Sequence, residues 1–112
     1  MNENYLERKK RNKKSIEEID ISINILFILK EIKKAPLYPY AIKKMILSKY
    51  NIDIPIQSIY TTIKKYEKIK YIKLHHIDEN KKKFYILTSD GKSFLEEKSN
   101  RNKQLVKKLC EV

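Results

Sequence analysis

The chain has 112 residues, enough for one domain but too few for two of ordinary size. Its 26 lysine and arginine residues outnumber 14 acidic residues, and the formal net charge of +12 favours a polyanionic partner such as nucleic acid. One cysteine and one glycine exclude an internal disulfide framework and a glycine-rich phosphate-binding loop.

The positive charge has an alternative explanation that involves no partner, because proteins encoded by AT-rich genomes are generally rich in lysine, isoleucine, asparagine and tyrosine. The longest apolar run, Ile25–Leu29, is far shorter than the roughly 20 residues that a membrane-spanning helix needs. The polar start of the chain predicts no signal peptide, and the single thiol favours a reducing compartment. We therefore expect a cytoplasmic protein with no membrane partner.

Residues 1–14 are predicted to form a basic N-terminal arm with few apolar side chains. The arm residues expected to bind DNA are Arg8, Lys9, Lys10 and Arg11. The tetrapeptide Ser15–Glu18 matches a capping box and predicts a first helix that ends near Lys34, before Pro36. Two apolar stripes on this helix indicate two packing partners, one inside the domain and one in a second subunit.

Two further helices are predicted in the middle of the chain. Pro39 suits the first turn of a second helix over residues 39–49, for which the predicted buried residues are Ile42, Met45, Ile46 and Tyr50. A third helix is predicted from Ile56 to Lys68. Its buried side is predicted to carry Ile59, Ile63 and Tyr66.

The last third of the chain predicts a hairpin and a helix. Residues 71–77 and 83–87 alternate like strands, and a polar turn lies between them. Thr88 or Ser89 is expected to cap a helix that reaches about Leu109. The resulting fold is mainly α (α+β): a winged helix-turn-helix domain over residues 15–88, with a two-stranded wing, followed by a C-terminal dimerisation helix over residues 89–112.

In this arrangement the third helix is the one that enters the major groove of DNA. The residues expected to reach base edges are Gln57, Ser58, Thr61 and Thr62, and those expected to bind phosphate are Lys64, Lys65 and Lys68. At the turn of the wing, Lys81, Lys82 and Lys83 are expected to meet the minor groove or its phosphates. The alternatives are a solvated lysine face on the helix and lysines that protect an edge strand from aggregation.

Three segments carry motifs of one protein family. Pro36–Ile42 is similar to P-x-x-G-Y-x-I, residues 55–67 to G-S-[VI]-Y-x-x-L-x-x-L-E, and residues 85–95 to Y-x-L-T-x-x-G-x-x-x-L. Together they resemble the PadR-like transcriptional regulators over residues 23–96. The resemblance implies a dimeric winged helix in which the final helix, and often the first, pairs the subunits. It also implies that Ser58 and Tyr60 touch DNA.

The chain departs from the family it resembles at three glycines, which are replaced by Pro39 and Gln57 within these motifs and by Lys70 after the second motif. The first replacement changes the turn into the second helix, and the last removes a flexible joint before the wing. The resemblance therefore does not predict which operator sequence the chain recognises.

We expect no enzymatic activity, because the sequence offers no combination of acid, base, nucleophile or metal-ligand residues that would form one catalytic site. His75 and His76 are adjacent on a predicted strand and should point to opposite faces, so no metal site is expected. The chain has no spare domain for a ligand pocket, and neither a cofactor nor a small-molecule ligand is expected.

The predicted function is a homodimer that binds double-stranded DNA as a sequence-specific repressor. One alternative is a protein that coats DNA or binds a plasmid-partition centromere, which would show protection that spreads with concentration. The other is a winged helix used for protein–protein contacts, which charge reversal at Lys64 and Lys65 without loss of DNA binding would favour.

Overall fold

The computed structural model describes residues 23–111, which form four helices and a two-stranded antiparallel sheet. The helices are α1 (Ile23–Lys34), α2 (Pro39–Tyr50), α3 (Ile56–Lys68) and α4 (Ser89–Cys110), and the strands are β1 (Ile72–Ile77) and β2 (Lys83–Leu87). The predicted winged helix-turn-helix order is confirmed. The predicted basic arm and the capping box at residues 15–18 lie outside the described residues.

The hydrophobic core lies where α1, α2 and α3 meet the base of the wing and the first turns of α4. On α2 the buried positions are Ile42 and Ile46, one helical turn apart. Met45, which was predicted to be buried, is 37% exposed, because it lies beside this inward-facing row rather than on it. On α3, the predicted set of Ile59, Ile63 and Tyr66 is buried as expected.

An aromatic cluster joins α3, the start of the wing and α4. The ring centroids of Tyr71 and Phe94 are 4.7 Å apart, and those of Tyr66 and Phe94 are 5.7 Å apart. All three side chains are buried. Contacts between aromatic rings at these distances stabilise a core beyond the area they bury, so the cluster fixes the wing against the helices.

The connection between α3 and β1 turns sharply at Lys70, whose φ is 69°. This left-handed conformation favours glycine, which is the residue that the resemblance implies at this position. The carbonyl group of Lys70 accepts a hydrogen bond of 2.7 Å from the hydroxyl group of Thr88. Thr88 also accepts a hydrogen bond of 3.1 Å from the N–H of Gly91, which confirms it as the N-cap of α4.

The wing is a short hairpin with a fixed turn. The Asp78 carboxylate accepts hydrogen bonds from the backbone N–H groups of Asn80 and Lys82 at 2.9 and 2.8 Å, and Lys81 has a φ of 63°. These contacts hold the three lysines of the turn on a defined backbone.

An isolated bridge, which the sequence did not predict, attaches the outer strand of the wing to the segment before α2. Leu37 and Tyr85 exchange both of their backbone hydrogen bonds, at 3.2 and 2.9 Å. The sequence indicated only a turn around Pro36. The bridge matters because it joins β2 directly to the start of α2.

His75 and His76 do not point to opposite faces, so that prediction was wrong. The strand pairing shifts between Leu74 and His76, and this β-bulge breaks the alternation of side chains. The two Nδ1 atoms are 2.7 Å apart, and the His76 ring stacks on Phe84 with centroids 4.4 Å apart. Residues 23–111 contain no group of three or more potential ligands placed to hold a metal ion.

A buried carboxylate connects α1 to α2. Glu31 is inaccessible to solvent, and its Oε1 accepts a hydrogen bond of 2.6 Å from Nζ of Lys49. Its Oε2 lies 3.3 Å from the hydroxyl group of Tyr50 and 3.5 Å from Nζ of Lys34. Burial by itself raises the pKa of Glu31, but the hydrogen bond from Lys49 and the two lysine charges outweigh it and hold the pKa below its ordinary value.

The 22-residue helix α4 is buried only near its start. Phe94 and Leu95 enter the core, whereas Leu105, Val106 and Leu109 are exposed. A largely apolar groove of about 710 Å³ runs between this helix and α1. Across the described part of the chain, no helix combines the length and the apolar character that crossing a membrane requires.

Candidate nucleic-acid interface

The exposed face of α3 carries a continuous polar and cationic stripe. Gln57, Thr61, Lys64 and Lys68 follow one another at intervals of three or four residues, and all are exposed. The opposite face buries Ile59, Ile63 and Tyr66. The helix is therefore anchored by its apolar side and presents hydrogen-bonding and cationic side chains to the outside.

The first turns of α3 hold the short polar side chains that were predicted to reach base edges. The hydroxyl group of Thr61 donates to the carbonyl group of Gln57 at 2.9 Å, so its oxygen remains available as an acceptor. Ser58 is exposed beside them. A groove of about 310 Å³ separates these residues from Asn24 and Ile25 at the start of α1.

Thr62 does not belong to the exposed face and is a correction to the predicted site. Its side chain is buried, with only 7% of the residue exposed. The physical reason is its spacing, because Thr62 lies one turn before Tyr66 and shares that residue's inward side of the helix. Thr62 lines the groove between α3 and α1 and is left out of the candidate interface.

The remaining predicted residues of α3 flank the stripe. Lys65 is exposed, and its Nζ lies 5.8 Å from the centroid of the Tyr66 ring. Tyr60, 39% exposed, lies on the side of α3 that faces the wing. The exposed side of α3 thus spans from the start of α1 to the wing.

The three lysines of the wing are exposed at the turn and in the first residue of β2: Lys81, Lys82 and Lys83. Nζ of Lys82 lies 4.6 Å from the centroid of the Tyr38 ring, a cation–π contact with the segment before α2. The edge of Tyr38 packs against Phe84 with centroids 5.2 Å apart. The wing lysines therefore lie close to the start of α2.

The structure brings the wing lysines and Tyr60 together around one cleft of about 500 Å³. The cleft also contains four residues that the sequence analysis did not select: Tyr38, Tyr40, Lys44 and Tyr85. Burial, with smaller contributions from Glu67 and Tyr60, raises the pKa of Tyr85. A pair of tyrosines around Pro39 was the available signal, but their approach to the wing depends on the Leu37–Tyr85 bridge.

The predicted arm residues Arg8, Lys9, Lys10 and Arg11 lie outside the described residues. Within the described part of the chain, the candidate interface therefore consists of the exposed face of α3, the wing lysines and the cleft between them. Its charge and its hydrogen-bonding groups suit a phosphate-bearing polymer.

Comparisons with known proteins place this architecture in a family. A structure of a transcriptional regulator from Clostridium thermocellum is 26% identical, with a TM-score of 0.69, and covers 78% of this chain and 85% of that one. A PadR family transcription regulator from Clostridium difficile is 27% identical, with a TM-score of 0.64, and covers 76% and 91%. Bacillus subtilis PadR, solved with operator DNA, is 26% identical, with a TM-score of 0.60, and covers 70% and 46%.

A comparison with curated proteins found no match. The family model described as "Transcriptional regulator PadR-like family" matches residues 28–97, which include α2, α3, the wing and the start of α4. That match extends over more than half of the 112 residues. The chain therefore belongs to the PadR-like family of transcriptional regulators.

Proposed function

We propose that this chain is a cytoplasmic, non-enzymatic homodimer that binds double-stranded DNA and represses transcription at a specific operator. The observation that carries the proposal is the exposed stripe of α3, since Tyr60 on the same helix lines one cleft with the lysines of the wing. Support also comes from the relative in Bacillus subtilis that was solved in complex with operator DNA.

The stripe suits the dimensions and chemistry of a major groove, which is about 12 Å wide and exposes hydrogen-bonding base edges. We assign base contacts to Gln57, Ser58 and Thr61 near the start of α3, with Tyr60 beside them. The free acceptor of Thr61 suits an amino group of adenine or cytosine, and its methyl group suits thymine. We assign phosphate contacts to Lys64, Lys65 and Lys68.

The homodimer part of the proposal rests on the second half of α4. Leu105, Val106 and Leu109 are 48%, 58% and 75% exposed, an arrangement that is costly for an isolated domain in water. Val106 lines the apolar groove between α1 and α4, which a second copy of α4 would cover. A twofold dimer would place two α3 helices about 34 Å apart, in successive major grooves.

The proposal is tested by the affinity of the full chain for DNA duplexes enriched from a random pool, with Lys64→Glu and the charge-matched control Lys92→Glu. Lys92 is exposed on α4 and is not part of the candidate interface. We expect enrichment of a defined sequence, a loss of at least about tenfold for Lys64→Glu and little change for the control. Equal affinity of both variants and the wild type would contradict it and favour a protein-binding winged helix.

A further inference from the structure

Two histidines of the wing lie side by side because of the bulge in β1. A regular strand would place His75 and His76 on opposite faces, and for that reason the sequence predicted no metal site. The pairing of β1 with β2 shifts between Leu74 and His76, so His75 is the extra residue of the bulge. The bulge therefore brings two imidazole rings together on the surface of the wing.

One nitrogen atom of each ring faces the other ring. The two Nδ1 atoms are 2.7 Å apart, and the ring planes cross at 77°. In a neutral pair, one Nδ1 carries a proton and donates a hydrogen bond to the lone pair of the other. Both side chains are exposed, so water can move that proton to Nε2 of the same ring without a change of charge. The pair then offers two Nδ1 lone pairs to one ligand.

The distance between the two Nδ1 atoms fits neighbouring positions around one metal ion. An ion about 2.1 Å from each nitrogen atom, as is usual for imidazole ligands, would make an angle of roughly 80° with the two. That angle is close to the ~90° between neighbouring ligands in square-planar and octahedral complexes and well below the angle in tetrahedral zinc sites. Tetragonal coordination by nitrogen atoms is typical of Cu(II) and Ni(II).

Phe84 holds one of the two rings in place. The His76 ring stacks on Phe84 with 12° between the planes, and Phe84 packs in turn against Tyr38. Packing that orients a ligand before the ion arrives lowers the cost of binding. Within residues 23–111 no third histidine, cysteine or carboxylate completes the pair as a three-ligand group, so water or an external donor would fill the other positions.

We propose that His75 and His76 form a surface site for one divalent transition-metal ion, Cu(II) or Ni(II), which binds through both Nδ1 atoms in neighbouring positions. Phe84 acts on the site by positioning His76. The inference does not rest on the proposed function, because the residues of the wing bind the ion without DNA.

Calorimetric titration of the full chain with Ni(II) measures the affinity and the number of ions bound. The variants are His75→Gln and His76→Phe, the second of which keeps a flat ring against Phe84. The control is Cys110→Ser, which removes the exposed thiol as another ligand. We expect one ion per chain for the wild type and the control, and an affinity at least about tenfold lower for each histidine variant. Equal affinity of the wild type and the histidine variants, or loss of binding in Cys110→Ser alone, would overturn the proposal.

Thermal unfolding shows whether the folded wing binds the ion, rather than two adjacent histidines in any conformation. An ion that binds the folded chain more tightly than the unfolded chain raises the midpoint of unfolding. We expect a rise of at least about 3 °C in saturating Ni(II) for the wild type and no rise for His75→Gln. A wild-type midpoint that Ni(II) leaves unchanged or lowers would overturn the role of the bulge and with it the site.

Electron paramagnetic resonance of the Cu(II) complex tests how the ion is bound. For the wild type we expect an axial spectrum, as tetragonal coordination gives, with coupling to the nitrogen atoms of two imidazole rings. His75→Gln should retain coupling to one ring at most. Coupling to a single imidazole ring in the wild type would overturn binding by the pair.

Discussion

Gly91 lies directly against the main chain of Tyr71. A Cβ atom added to Gly91 would lie 2.1 Å from the carbonyl oxygen of Tyr71 and 2.9 Å from its carbonyl carbon. The same oxygen accepts a hydrogen bond of 3.0 Å from the N–H of Thr88. The first turn of α4 therefore reaches the start of the wing only because this position has no side chain.

Replacing Gly91 by alanine should destabilise the domain. The added methyl group would clash with backbone atoms of Tyr71, which cannot rotate away as a side chain can, so α4 must move away from the wing. We expect the free energy of unfolding to fall by about 2 kcal/mol or more. Urea unfolding measures the loss, and Ser93→Ala, at an exposed site of the same helix, is the control. An unchanged midpoint for Gly91→Ala would contradict the close approach.

Replacing Lys70 by glycine should stabilise the domain. A left-handed conformation costs a residue with a Cβ atom roughly 1–2 kcal/mol, and glycine removes this cost. Part of the resulting gain in stability is lost, because glycine has more conformational freedom in the unfolded chain. We expect a net gain of about 0.5 kcal/mol. The control Lys98→Gly, inside α4, should instead lose about 1 kcal/mol. A loss at both positions in thermal unfolding would refute the assignment of strain to Lys70.

The ion pairs of Glu31 predict a loss of stability in acid. Because the pKa of Glu31 is lowered by folding, its contribution is complete above the ordinary value of 4.5 and disappears as the pH falls through the lowered value. Thermal unfolding between pH 3 and 7 should show this loss for the wild type and a flatter profile for Glu31→Gln. The exposed Glu96→Gln is the control. Parallel profiles for the wild type and Glu31→Gln would contradict the prediction.

The exposed apolar end of α4 predicts a specific defect in assembly. Val106→Asp should convert the dimer into a monomer, because it puts a charge into the groove between α1 and α4. Sedimentation equilibrium measures the mass, and DNA affinity should fall at least about tenfold with it. Lys108→Asp, on the same helix but outside the groove, is the control. A wild type that is monomeric at high micromolar concentration would refute the proposed dimer.

The two parts of the interface should differ in how they affect DNA recognition. Lys82→Gln should weaken binding to all duplexes to a similar extent, since phosphate carries no sequence information. Thr61→Ala should change the ranking of duplexes that differ at one base pair, by about 1 kcal/mol or more at that position. Competition assays with a set of single-base variants measure both effects. Uniform losses for both variants would remove the distinction between them.

Local patterns were sufficient to predict most of the fold. The spacing of Ile59, Ile63 and Tyr66 determines which face of α3 is buried, and the alternation in residues 83–87 predicts the second strand. Thr88 was predicted as a cap from its position before an amphipathic segment, and the structure shows its hydrogen bond to Gly91. These features depend on neighbours only a few residues away.

Features that depend on distant residues were not predicted. Glu31 is buried because Lys49, on the next helix, supplies its partner, and a single sequence does not show that pairing. The bulge between Leu74 and His76 and the bridge at Leu37 follow from how the strands pair in three dimensions. Thr62 was misplaced because its polarity suggested exposure while its spacing placed it inward. The cleft between the wing, α2 and α3 was not predicted, because the residues that line it come from three separate segments.

Nuclease footprinting of the full chain on the DNA flanking its own gene, with a random duplex as the control, tests the central claim most directly. The proposed function predicts one short protected inverted repeat, whose half-sites are centred about one helical turn apart. Protection that spreads from the site as concentration rises would contradict a sequence-specific repressor and indicate a protein that coats DNA. No protection at low salt would contradict DNA binding altogether.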